Sequence, residues 1–133
     1  MRDGKTLKRP SASGAPPLQG FLDHYTARVT VVSGPGAGAG FAIKRERIII
    51  GRGPGVDRAF DDPAMSRQHA AIEFTGSGFR LRDLGSTNGT LLNGKPVQSE
   101  ELHHGDRFTI GSRQFLLAIE VRESEPDAYE LKS

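Results

Sequence analysis

Apolar and polar residues alternate in several short segments of the chain, which is the pattern of half-buried β-strands. "ARVTVV" places Val29 and Val31 on one face, and "RQFLLAIEV" does the same with Phe115, Leu117 and Ile119. "HAAIEF" and "GFRLRDL" flank "TGSG" and are predicted to form a hairpin. No segment carries a clear apolar stripe of helical period, so the pattern predicts an all-β domain.

Turn-forming residues separate these segments at intervals of about 8 to 12 residues, a spacing typical of β-sandwiches and barrels. "LNGKPV" has the Asn-Gly pair of a tight hairpin turn. The connections are too short to hold crossover helices, and the strands are therefore expected to be antiparallel.

The chain has 133 residues, which is the usual size of one domain. Residues 1–25 are rich in Lys, Arg, Ser, Gly and Pro and are predicted to be a tail without fixed structure. Order is expected near Tyr25, with the folded domain over 26–121 and an acidic tail over 122–133.

Composition narrows the possible functions. The absence of cysteine excludes disulfides, thiol catalysis and cysteine zinc sites, and it favours a cytoplasmic location. A net charge of +2 from 18 basic and 16 acidic residues is too even to indicate bulk nucleic-acid binding. No segment approaches the roughly 20 apolar residues of a membrane span. We therefore expect neither nucleic acid nor membrane as a partner.

Two glycine-rich segments raise the possibility of nucleotide binding. "SGPGAGAG" fits no GxGxxG register and no helix is predicted after it, so converging N–H groups would be missing. "GTLLNGKP" has the P-loop spacing of Gly89, Gly94 and Lys95, but Pro96 stands where a Ser or Thr must hold magnesium. We expect no nucleotide cofactor.

The histidines do not indicate a metal or catalytic site. His103 and His104 are adjacent, so they would point to opposite faces of a strand, and no histidine–carboxylate spacing resembles a zinc site. Ser66 and His69 could form a nucleophile and base, but the strand–nucleophile–helix elbow is absent. We expect no metal, no catalytic residues and no enzymatic activity.

A group of donors remains in three loops, and the alternating strands between them return the chain to the same end of a sandwich. Without a base, a metal or an activated nucleophile, such a set can hold an oxyanion but cannot transform it. Guanidinium groups match phosphate oxygens two at a time, and hydroxyls add single directed bonds. The donors are Arg52, Ser66, Arg67, Ser86, Thr87 and Asn88.

Three segments resemble the forkhead-associated (FHA) domain family: "GR" at 51–52, "SRQHA" at 66–70 and "LGSTNGT" at 84–90. The resemblance spans about residues 27 to 121. It implies an FHA/SMAD-like antiparallel β-sandwich of about eleven strands that binds phosphothreonine peptides through loops at one end. "GPGAGAG" is common in bacterial members and indicates a bacterial source.

The resemblance also implies a role for each matching residue. Arg52, Ser66, Arg67 and Thr87 would bind the phosphate, and Asn88 would hydrogen-bond the peptide backbone. The other matching residues would shape the loops, with Ser86 retaining phosphate contact as an alternative. These loop residues are Gly51, His69, Gly85, Ser86 and Gly89. Val56-Asp57 departs from the Asn or Ser that often precedes this aspartate, which leaves specificity beyond the phosphothreonine open.

The implied function is an adaptor that recognises partners phosphorylated by a Ser/Thr kinase, either the kinase itself or its substrate. One alternative is a phosphorylation-independent scaffold. Another is a self-regulated binder, because Thr6 lies in the basic N-terminal segment and, once phosphorylated, could occupy the site in cis.

Overall fold

A computed structural model describes residues 17–122, which form one short helix followed by eleven strands. In chain order the elements are α1 (Pro17–His24), β1 (Tyr25–Ser33), β2 (Gly40–Ala42), β3 (Arg47–Gly51), β4 (Arg58–Ala59), β5 (Ala70–Phe74), β6 (Phe79–Asp83), β7 (Thr90–Leu92), β8 (Lys95–Pro96), β9 (Ser99–Leu102), β10 (Arg107–Ile110) and β11 (Arg113–Val121).

The strands form two sheets, of order β2-β1-β11-β10-β7-β8 and β4-β3-β5-β6-β9. The predicted all-β sandwich of about eleven strands is therefore confirmed. One pair departs from the expected antiparallel arrangement, because β3 and β4 are parallel, with Ile50 opposite Arg58 and Gly51 opposite Ala59. The loop between β3 and β4 turns back on itself, so that β4 pairs with the last two residues of β3 without a crossover helix.

The core lies between the two sheets and is filled by the inward residues of the alternating segments. Val29, Leu117 and Ile50 are each fully buried. Phe108 and Phe115 stack with ring centroids 5.2 Å apart. Each fully buried side chain of this size contributes about 1.5–3 kcal/mol relative to exposure.

Both predicted hairpins are present. β5 pairs with β6 across the "TGSG" turn, with Ala70 opposite Asp83 at one end and Phe74 opposite Phe79 at the other. Between β7 and β8, Asn93 and Gly94 have φ values of 49° and 86°. A tight two-residue hairpin turn of type I′ requires such left-handed backbone conformations at both of its central residues. The turn chemistry thus sets the register of this edge of the first sheet.

Helix α1 lies upstream of the residue at which the sequence analysis expected order to begin. Leu18, Phe21 and Leu22 have the i, i+3, i+4 spacing of an apolar helix face, and Leu18 is 4% exposed. The ring centroid of Phe21 lies 5.4 Å from those of Phe74 and Phe79. An isolated helix of this length is unstable in water, so packing on the sandwich holds it in place. Residues 1–16 and 123–133 of the predicted tails lie outside the described range.

Within the described range, no helix is long and apolar enough to cross a membrane.

Candidate functional site

The three donor-bearing loops meet at one end of the sandwich. The backbone N–H of Arg52, just after β3, donates to the carbonyl of Ser66 at 3.0 Å. The backbone N–H of Thr87, in the loop between β6 and β7, donates to the Ser66 hydroxyl at 3.0 Å. The structure thus brings together residues from all three segments that the sequence analysis singled out. We call this set of loops the rim.

Arg52 is exposed at the rim and is held from one side. Its Nε donates to the carbonyl of Met65 at 3.0 Å. A guanidinium carries five N–H donors, and the outer ones have the fork geometry that suits a phosphate. The bond to Met65 restricts the orientation of the guanidinium and leaves its outer N–H groups available.

Ser66 is half-buried beside Arg52, and its hydroxyl oxygen accepts the Thr87 N–H. Because the Ser66 oxygen accepts this bond, the hydroxyl hydrogen points away from Thr87 and is able to donate to an anion. Thr87 is exposed. The Thr87 backbone therefore lies directly against the Ser66 hydroxyl at the rim.

His69 is fully buried beneath the rim and joins two loops. Its Nδ1 lies 3.0 Å from the N–H of Ser66, and its Nε2 lies 2.8 Å from the carbonyl of Gly89. An Nδ1 that accepts and an Nε2 that donates define the neutral Nε2–H tautomer. His69 thus spans the loops from below and has no exposed surface for a ligand.

Asn88 and Arg67 are both exposed. The side-chain amide of Asn88 donates to the carbonyl of Ala64 at 3.0 Å, which orients its remaining groups. The stem of Arg67 packs on Gly53, where an added Cβ would lie 2.9 Å from the Arg67 Cβ. Arg67 therefore lies at the side of the rim formed by the β3–β4 loop.

The glycines of the rim serve two different purposes. A Cβ on Gly51 would overlap the carbonyl oxygen of Arg67, so this position needs glycine for close backbone approach. The contribution of Gly51 to the loop shape is thus steric. Gly85 and Gly89 have φ values of 76° and 84°, which side chains resist.

Asp83, at the end of β6, was not among the predicted site residues. Its carboxylate accepts the N–H groups of Gly85 and Ser86 at 3.0 Å, the Ser86 hydroxyl, and the Thr90 hydroxyl at 2.7 Å. The Ser86 oxygen in turn accepts the Gly89 N–H at 2.9 Å. Ser86 is therefore engaged in shaping its own loop. The only sequence signal was an aspartate three residues before a serine, a common turn pattern.

The hydrogen bonds to Asp83 favour its charged form. Burial alone would raise the pKa of this carboxyl, but the bonds from Ser86, Thr90 and Gly85 outweigh it and hold the pKa below its ordinary value of 3.8. The loop that carries Thr87 and Asn88 is thus built around a permanent negative charge at neutral pH.

Residues 17–122 contain no group of three or more His, Asp or Glu that could hold a metal ion. A cleft of about 650 Å³ lies between α1 and β2, lined by residues such as Leu22, Thr26 and Lys44, and none of the rim donors borders it. Thr6 lies outside the described residues.

Comparison with known proteins places this geometry in a family context. The FHA domain model matches residues 48–111, which include every segment of the rim. The chain is 36% identical over 108 residues to an oxoglutarate dehydrogenase inhibitor of Corynebacterium efficiens, covering 79% of this chain and 76% of that protein. It is 40% identical over 90 residues to the glycogen accumulation regulator GarA of Mycolicibacterium smegmatis, covering 68% of this chain and 57% of that one. Both relatives are bacterial.

The fold comparison agrees. A domain whose solved structure is described as a "structural and functional analysis of phosphothreonine-dependent FHA domain interactions" matches with a TM-score of 0.64 and 31% identity. The match covers 70% of this chain and 95% of that domain.

Proposed function

The chain belongs to the FHA domain family, and from this premise we propose that it is a phosphothreonine-dependent protein-binding module of bacterial signalling. The observation that carries the proposal is the hydrogen bonding around Ser66, whose carbonyl accepts the Arg52 N–H and whose hydroxyl accepts the Thr87 N–H. These two bonds join at the rim the three segments that carry the Arg52 guanidinium and the Ser66 and Thr87 hydroxyls, which supports a shared binding site.

We assign the phosphate to Arg52, Ser66 and Thr87, with Arg67 adding positive charge from the β3–β4 side. The fork of Arg52 supplies paired charge-assisted bonds, and the hydroxyls supply single bonds. Asn88 keeps its carbonyl oxygen and one N–H for the peptide backbone beside the phosphothreonine, because its other N–H is bound to Ala64.

We propose that the module acts by recruitment and without catalysis or a cofactor. Its partners would be a Ser/Thr kinase or a substrate of that kinase. The names of the two relatives, an inhibitor of an enzyme and a regulator of accumulation, support a regulatory role. A cytoplasmic location and the exclusion of nucleic acid and membrane partners remain predictions from the sequence.

The decisive experiment is calorimetric titration with a phosphothreonine peptide library and with unphosphorylated versions of the best ligands. We expect micromolar affinity, about −8 kcal/mol, for phosphorylated peptides only. Arg52→Ala removes the main cation facing a partly desolvated phosphate and should cost about 2–5 kcal/mol. Arg107→Ala is the matched control, since Arg107 is an exposed arginine on β10 outside the rim.

The alternative scaffold hypothesis predicts the opposite result. If partner binding survives Arg52→Ala and ignores the phosphate, the protein uses another surface and the proposed function is wrong. Equal weakening by Arg52→Ala and Arg107→Ala would indicate a general charge effect and would also contradict the assignment.

A further inference from the structure

The short segment 62–66 accepts hydrogen bonds from three of the residues that we assign to the ligand. The carbonyl of Ala64 accepts the Asn88 side-chain amide, and the carbonyl of Met65 accepts the Arg52 guanidinium, each at 3.0 Å. The hydroxyl of Ser66 accepts the Thr87 N–H at the same distance. The positions of Arg52, Thr87 and Asn88 therefore all depend on where this segment lies.

Asp62 fixes the base of this segment, although it reaches no part of the exposed rim. The side chain is 1% exposed. Its carboxylate accepts the Ala64 N–H at 2.9 Å, within the segment. It also accepts the Ser112 N–H at 2.9 Å, the Ser112 hydroxyl at 3.0 Å and the Arg113 guanidinium at 2.8 Å. These three donors come from the β10–β11 turn and the first residue of β11, which belong to the other sheet.

The ion pair between Asp62 and Arg113 is enclosed. The Arg113 side chain is 11% exposed, and its guanidinium lies 5.0 Å from the ring centre of Phe60. Buried pairs of this kind are costly to break, because the partner that remains is left charged and without compensation. The ion pair therefore holds Asp62 and Arg113 in one fixed relative position.

The turn and the segment also fit tightly against one another. A Cβ on Gly111 would lie 2.7 Å from both the Asp62 carboxylate and the Met65 side chain. Met65 is 2% exposed. The segment cannot settle closer to the turn, and the hydrogen bonds prevent it from moving away.

We propose that Asp62 is the positioning residue of the ligand site. It holds segment 62–66 against Ser112 and Arg113 and so keeps the rim donors in the relative positions that ligand binding requires. The expected change in affinity rests on the proposed function, whereas the expected change in rim structure rests only on contacts within the ligand-free protein. Small displacements of supporting groups are costly when several donors must meet one ligand at once.

The test uses the full chain carrying Asp62→Asn, which keeps the size of the side chain but removes its charge. Titration with the best phosphothreonine peptide of the wild type should show a dissociation constant raised on the order of tenfold, with an unchanged binding stoichiometry. Ser112→Ala, which removes one of the four bonds, should raise it about two- to threefold.

Asp106→Asn is the matched control. Asp106 also organises a loop, since it accepts the His103 N–H at 2.7 Å and the Asn93 side-chain amide at 3.0 Å. It lies at the opposite end of β10 from the rim. This variant should lose stability but keep the wild-type dissociation constant.

A second readout distinguishes positioning from general stability. In amide NMR spectra of the ligand-free protein, the Thr87 backbone and Asn88 side-chain signals should shift in Asp62→Asn and Ser112→Ala and stay in place in Asp106→Asn. A folded Asp62→Asn protein with wild-type affinity and wild-type signals would overturn the proposal. If Asp62→Asn does not fold, the same result for Ser112→Ala overturns it.

Failure of the proposed function has a different signature. A wild-type protein that binds no phosphothreonine peptide refutes that function, while the NMR comparison still decides whether Asp62 positions the rim.

Discussion

Replacing His69 with alanine should destabilise the domain severely, because this buried imidazole is the link between two loops. The change removes the acceptor for the Ser66 N–H and the donor for the Gly89 carbonyl. Each backbone group left without a partner costs about 1–3 kcal/mol. The vacated volume adds a cavity penalty, which water entering from the rim partly offsets. We expect a total loss of about 3–5 kcal/mol, a large share of the 5–15 kcal/mol typical of a domain.

Urea denaturation followed by circular dichroism measures this loss, provided that the slope of the transition is unchanged. His104→Ala is the matched control. His104 is exposed and its Nδ1 accepts a single bond, from the Ile119 N–H at 2.9 Å, so its loss should cost under about 1 kcal/mol. If the two variants lose the same stability, His69 does not bridge the loops in the way described and the reasoning is refuted.

Three further predictions concern other parts of the molecule. Gly51→Ala should unfold the rim or lower the melting temperature by several degrees, because a methyl group there overlaps the Arg67 carbonyl; a wild-type melting curve would contradict this. Asp83 has a pKa below 3.8 in the folded state, so its contribution to stability is complete well above pH 3.8 and is lost as pH falls through the folded pKa. Acid titration of Asp83→Asn should therefore show a shallower loss of stability than the wild type in that range, and parallel curves would count against it. Phosphorylation at Thr6 should weaken binding of added peptide, and equal affinity of kinase-treated wild-type and Thr6→Ala proteins would rule out self-regulation.

The meeting of the three loops could be predicted from the sequence, because it depends only on strand direction. "HAAIEF" and "GFRLRDL" form one hairpin, so the chain after Asp83 must return to the end where His69 lies. The Asn93-Gly94 turn was equally local, since two adjacent residues specify it. Local chemistry and alternation were sufficient for both features.

The parts that were missed depend on contacts between distant residues. Asp62 resembles an ordinary turn residue, and its partners Ser112 and Arg113 are 50 and 51 positions away. Helix α1 has only two turns, so its apolar stripe of Leu18, Phe21 and Leu22 is too short to stand out from a segment rich in glycine and proline. Its stability comes from the phenyl rings it covers, which the linear sequence does not reveal.

The chain enters and leaves the sandwich on the same side, since the Arg122 N–H donates to the carbonyl of His24 at 2.8 Å. The rim lies at the far end of β1, about 30 Å away for a strand of nine residues. A dye, bead or fused protein attached beyond Pro17 or Arg122 would therefore leave the rim unobstructed. The same distance limits Thr6, because the eleven steps from Thr6 to Pro17 span at most about 40 Å when fully stretched. Each residue deleted between them shortens that reach by about 3.6 Å.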